Sequence, residues 1–130
     1  MTGYTDFNYR YKRGVFMDLI LILKYLAVVV TLFTGLYSLA VPQKIKGFTG
    51  LEASSPRATS EIRSVMGGTF IGLGLAALIF PVREVFLTLA IAYAAIGLIR
   101  LVTIFLDKAA ERSNWISLAT EIVLVIVLVL

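Results

Sequence analysis

Long apolar runs broken by short polar stretches set the pattern of this chain. Runs of about twenty apolar residues, enough to cross a hydrocarbon core of about 30 Å, occur four times and nearly fill the sequence. The first covers residues 15–41 and stops at Pro42, and the second covers 56–80 and stops at Pro81. The third covers 83–106 and the fourth 114–130. Their apolar positions recur with a helical rather than an alternating period, and open strands could not satisfy their backbone in lipid. The pattern therefore predicts an all-α, integral membrane, up-down four-helix bundle. Residues 15–130 form its single domain, behind an aromatic and basic N-terminal extension of residues 1–14.

The connections refine this. Pro42 to Ser55 is a polar loop with Lys44, Lys46, Gly47, Gly50 and Glu52, long enough for structure of its own. Ser55 followed by Pro56 is an N-cap and first-turn proline, so the second helix should start there. The tight Pro81-Val82-Arg83 turn makes the second and third helices antiparallel neighbours. Asp107 to Ser113 is a short charged loop.

Composition narrows the chemistry. Of the 130 residues, 59% are hydrophobic and 15% charged, against about 45–50% and 25% in a soluble domain. With Cys 0 and His 0, thiolate chemistry, imidazole bases and the usual zinc and haem ligands are absent, so neither metal nor cofactor is expected. The net charge of +4 is scattered along the chain, which argues against nucleic acid as a partner. Arg10, Lys12 and Arg13 lie among Tyr4, Phe7, Tyr9 and Tyr11. This mixture reads as an anchor at the lipid headgroups. The first apolar run lacks a nearby small-residue cleavage site and is read as retained, not as a signal peptide.

Orientation is weakly coded. One side carries Arg10, Lys12, Arg13 and Arg83, the other Lys44, Lys46, Arg57, Lys108 and Arg112. The positive-inside rule is nearly balanced between these sets. The cluster ahead of the first helix points to a cytoplasmic N-terminus, with the C-terminus on the same side.

The charges inside the spans are the exceptions to the apolar pattern. Arg63 lies eighteen residues before Pro81, about 27 Å, and Arg100 seventeen residues after Arg83, about 26 Å. Glu121 is seven residues into the fourth helix and Arg100 seven short of Asp107. Glu61, Arg63, Arg100 and Glu121 thus share one depth and cancel in charge. The expected arrangement pairs Arg100 with Glu121, with Glu61 and Arg63 completing a four-charge network that extends to Asp107. Tyr93, Gly97, Arg100, Thr103 and Asp107 share one face of the third helix, and Ser113, Ser117, Thr120 and Glu121 follow a polar stripe on the fourth. The layer can fix helix register or floor a pocket for a lipid headgroup or quinone. Lys24 is expected to snorkel to the N-terminal interface. Gly68, Gly72 and Ala76 form a small-residue face that should pack against Ala90, Ala94 and Gly97 of the third helix.

The run Glu61-Ile-Arg63-Ser-Val-Met-Gly67-Gly68-Thr-Phe-Ile-Gly72-Leu-Gly74 resembles the signature of the DUF4345 family of small four-helix bacterial membrane proteins. Arg100 near the end of the third helix and Glu121 in the fourth fit that resemblance, which also implies a distant likeness to the DoxX-like group. It implies a bacterial cytoplasmic membrane location and no settled function. From the residues, the first expectation is a non-enzymatic accessory, structural or assembly subunit of a larger membrane complex or a homo-oligomer, surrounded by membrane lipids. The alternative is a protein that binds or transports a small lipophilic or amphipathic molecule. An enzyme would have only Glu61 and Glu121 as an acid–base pair.

Overall fold

A helix that begins well before the first apolar run dominates the molecule: α1 spans Gly3–Ala40. The computed structural model describes residues 3–130, with side chains from residue 12 onward. Residues 3–14 thus continue the helix instead of preceding it. The side chains of Tyr4, Phe7, Tyr9, Arg10 and Tyr11, expected as an interfacial anchor, lie outside the described residues. Lys12 and Arg13 are exposed.

Pro42, which cannot extend a helix, ends α1. A 3-10 turn, Pro42–Lys44, leads to the one-turn α2 at Lys46–Thr49. Gly50 closes α2 at φ 75, its N–H donating to the Lys46 carbonyl at 2.8 Å. The turn is pinned by Ile45, which is 0% exposed. The Lys46–Glu52 ion pair (3.0 Å) is exposed and adds little.

Three further helices are long and apolar enough to cross a membrane, as is α1: α3 (Pro56–Ile79), α4 (Arg83–Leu106) and α5 (Arg112–Val129). Ser55 caps α3 by accepting from the Ala58 N–H at 3.1 Å, with Pro56 in the first turn. Within α3, Ile62–Gly68 winds as π-helix, a wider turn than the periodic pattern predicts. After Phe80 the chain reverses through Pro81 and Val82 into α4. Lys108 ends α4 with φ 53, and the Ala109 N–H reaches back to the Ile104 carbonyl at 3.0 Å, the closing bond of a Schellman cap.

The close helix pairs are α1 with α3 and α4 with α5. Ala27, Thr31, Gly35 and Ser38 form a buried stripe of small residues along α1. The Thr31 and Ser38 hydroxyls donate to the carbonyls of Ala27 and Thr34 (both 2.8 Å), so the face carries no unmet donor. A Cβ at Gly35 would lie 2.7 Å from the Ile71 backbone nitrogen, and one at Gly67 3.2 Å from that of Leu39. Gly74 takes the Leu32 side chain, 2.6 Å from where its Cβ would be.

This corrects the expected small-residue contact. A Cβ at Gly68 or Gly72 would meet no atom of another helix within 4 Å, and Ala76 is half-buried. The glycines that pack are Gly67 and Gly74, and their partner is α1. On α4, Ala90 and Gly97 are buried but Ala94 is exposed. Gly97 faces Glu121 of α5, not α3.

Side chains fill the bundle at the end of the Pro81 turn, where Val28, Ala77, Phe86, Leu89, Ala90 and Leu128 form the core. The Lys24 ammonium sits 5.2 Å from the Phe86 ring centroid, so a cation–π contact holds the group expected to snorkel.

Overpacking separates the two sets of glycines. Gly35→Ala forces α1 and α3 apart and should cost about 1–3 kcal/mol, whereas Gly72→Ala should leave stability unchanged or slightly higher. Thermal unfolding of both variants in the same mild detergent checks this; equal midpoints would contradict the α1–α3 contact.

Candidate functional site

The bundle is less filled towards the end that carries the Pro42–Ser55 loop. A cavity of about 390 Å³ opens there among all four long helices, within the range of about 300–1,000 Å³ typical of small-molecule pockets. Val30 and Thr34 of α1, Met66 and Phe70 of α3, and Ile96 of α4 give it largely apolar walls. Phe48, Thr49 and Leu51 close over it from the loop. The π-wound stretch contributes Met66, one turn before the Phe70 ring. That ring stacks on Tyr93 at 6.2 Å.

Its polar wall comes from α4 and α5. Glu121 is 7% exposed, and a carboxylate so placed needs a cation. Arg100 supplies it: Nε donates to both carboxylate oxygens at 2.9 and 3.0 Å, and Nη2 lies 2.8 Å from Oε1. Nη1 donates to Asn114 Oδ1 at 3.0 Å, and Asn114 Nδ2 in turn donates to the Ala109 carbonyl at 2.8 Å. The guanidinium is thus fixed along two edges. Gly97 packs against the carboxylate, and a Cβ there would touch Oε2 at 3.4 Å. At the bottom, Tyr93 meets the Thr31 hydroxyl at 2.8 Å. Thr31 gives its own proton to the Ala27 carbonyl, which leaves Tyr93 the donor.

The charged layer expected from depth alone is therefore half assembled. Arg100, Glu121 and Tyr93 meet at the cavity. Glu61 and Arg63 are exposed, and no ion pair joins them to Arg100 or Glu121 among the described residues. Arg63 borders an outer notch with Thr59, Ser60 and Ser64, and Glu61 a separate one with Ala58 and Val65. Asp107 is exposed at the end of α4 and makes no bond to Arg100. Depth follows from counting residues, but facing does not, and the π-wound stretch changes it part-way along α3. Asn114 is the member that sequence reading missed. Its signal was its place at the start of the fourth helix, seven residues before Glu121 and so on about the same face.

The sequence profile of a family described as a domain of unknown function (DUF4345) matches residues 10–130. The chain belongs to this family. No curated protein and no solved structure matches it. The Glu61–Gly74 run that carries the DUF4345 resemblance is the π-wound part of α3 and its continuation, with Gly67 and Gly74 against α1 and Met66 at the cavity. In this DUF4345 chain Arg100 and Glu121 are the charged residues lining the cavity among those described.

Removing one partner of the pair should be worse than removing both. Arg100→Ala leaves a buried carboxylate unmet and should cost up to about 3–5 kcal/mol. Arg100→Met with Glu121→Met should recover most of that loss, and Asn114→Ala should cost about 1.5–3 kcal/mol. Unfolding midpoints of Arg100→Met, Glu121→Met and their double variant beside the wild type form a double-mutant cycle, and additive single effects would contradict a direct pair.

Proposed function

We propose that this DUF4345 protein binds a small amphipathic molecule from the membrane in the cavity among its four helices. The observation that carries the reading is the combination of an unfilled, apolar-walled space with a fixed ion pair on one side. An ion pair that served register alone would be expected to be packed over, as the core is at the Pro81 end. Here Arg100 stays partly accessible, its side chain 27% exposed, beside a space large enough for a lipid head and the first part of its tail. Exposed Val30, Ile116 and Thr120 among the lining residues are consistent with entry from the side. In this reading the protein sits in a bacterial cytoplasmic membrane with both ends on the cytoplasmic face. It acts by holding its ligand, without chemistry of its own.

A second reading, an accessory subunit in a larger assembly or a homo-oligomer, is favoured by one observation. The Gly68–Gly72 face of α3 is open, and such faces admit close approach of another helix.

Filling the cavity tests the first reading. The wild-type protein, transferred from native membrane into nanodiscs and released for native mass spectrometry, should carry a lipophilic molecule. Ile96→Trp should lower its occupancy about tenfold or more, equivalent to about 1.4 kcal/mol, with little change in unfolding midpoint. Equal occupancy in the two proteins, or an empty wild type, would remove the cavity as a binding site.

A further inference from the structure

The hydrogen-bonding state of the cavity wall says which kind of head it can take. Its two charges already satisfy each other, since all three short Arg100–Glu121 contacts lie between 2.8 and 3.0 Å. A ligand therefore meets no net charge. An anionic head would lose its hydration and then face a cation already held by Glu121, so its burial cost would go unmatched. A cationic head would meet a carboxylate already engaged by Arg100.

The unused donors of the wall lie on Arg100 and Ser117. A guanidinium carries five N–H groups. The Nε hydrogen and one on each terminal nitrogen are directed at Glu121 and Asn114. One hydrogen on each terminal nitrogen is left without a protein acceptor among the described residues. Ser117, on the same wall and half-buried, makes no hydrogen bond among the described residues. Thr34 and Thr120 donate to a carbonyl one turn back, both at 2.9 Å, and so offer acceptors instead, whereas Thr49 donates to the Ile45 carbonyl at 3.0 Å and already accepts the Leu51 N–H at 3.1 Å.

We infer that, if the cavity is the binding site proposed above, its ligand is a lipid with an uncharged head that presents carbonyl oxygens to Arg100 and Ser117. A glyceride ester and a quinone share this chemistry. The head lies against the Arg100–Ser117 wall, and the tail follows Val30, Ile96 and Ile116 out towards the bilayer.

Matched probes test the inference on the full chain in nanodiscs, read by native mass spectrometry and by competition. Monoolein and oleate at pH 8 share a tail and differ in an uncharged glyceryl ester, with two free hydroxyls, against a carboxylate; decyl-ubiquinone, a carbonyl head without hydroxyls, supplies the quinone arm. Monoolein or decyl-ubiquinone should bind about tenfold or more tighter than oleate, and which of the two wins identifies the source of the carbonyl. Ser117→Ala should weaken the preferred probe several-fold without moving the unfolding midpoint. Glu121→Gln leaves the Arg100 charge unbalanced and should shift the preference towards oleate. Should that variant not fold, the Ser117→Ala comparison and the wild-type preference still decide.

Oleate bound as tightly as the uncharged probes, or a Ser117→Ala protein with unchanged affinity, would overturn the uncharged-carbonyl assignment while leaving the cavity as a binding site. Failure of every probe to bind, with Ile96→Trp indistinguishable from wild type, would overturn the cavity reading itself.

Discussion

A carboxylate held inside a membrane-spanning bundle has no water to stabilise it, and its position dictates that of everything it needs. Glu121 is satisfied by Arg100, Arg100 is oriented by Asn114, and Asn114 is tied to the Ala109 carbonyl where the chain turns between α4 and α5. Gly97 lies beside the carboxylate, and a Cβ there would be in ordinary van der Waals contact with it at 3.4 Å. One buried charge thus fixes the register of α4 against α5. It also joins the connection between those helices to their middle.

The other half of the bundle is organised by the opposite means. Between α1 and α3 the backbones come close enough that Gly35 and Ile71 leave no room for a methyl group. Dispersion contacts between small residues replace polar bonds. This pairing draws α3 against α1 instead of spreading it evenly between its neighbours, so α4 and α5 bring the polar wall to the remaining space. At the Pro81 end Phe86, Leu89 and Leu128 fill that space. At the other end Arg100 and Glu121 border it, and a loop pinned by the buried Ile45 lies over it.

Much of this is legible in the amino-acid sequence, and the physical reason is plain. Span number, the proline stops and the Ser55–Pro56 helix start are local, set by run length and by backbone chemistry within a few residues. The depth of each charge is also a matter of counting, which is why residue numbers alone place Arg100 and Glu121 at one level. Rotation about the helix axis is not local. Two glycine stripes run along α3, Gly68–Gly72 and Gly67–Gly74, and nothing within that helix says which is buried. The answer lies on α1, where Ala27, Thr31, Gly35 and Ser38 recur at helical spacing and are recognisable as the partner face. The π-wound turn is not legible, since its extra residue leaves no trace in hydropathy. The cavity itself, being what packing leaves over, has no sequence signature of its own.

The uneven filling of the bundle divides its residues by what a change in them can alter. Substitutions near the Pro81 turn act on whether the chain holds together. Those around Met66, Ile96 and Ser117 act on the shape of a void and leave the helix contacts in place. Such a protein can change what it accommodates without renegotiating its fold, by exchanging a handful of side chains that touch empty space. Arg100 and Glu121 belong to both halves of that division, and they are the positions where such drift has to stop.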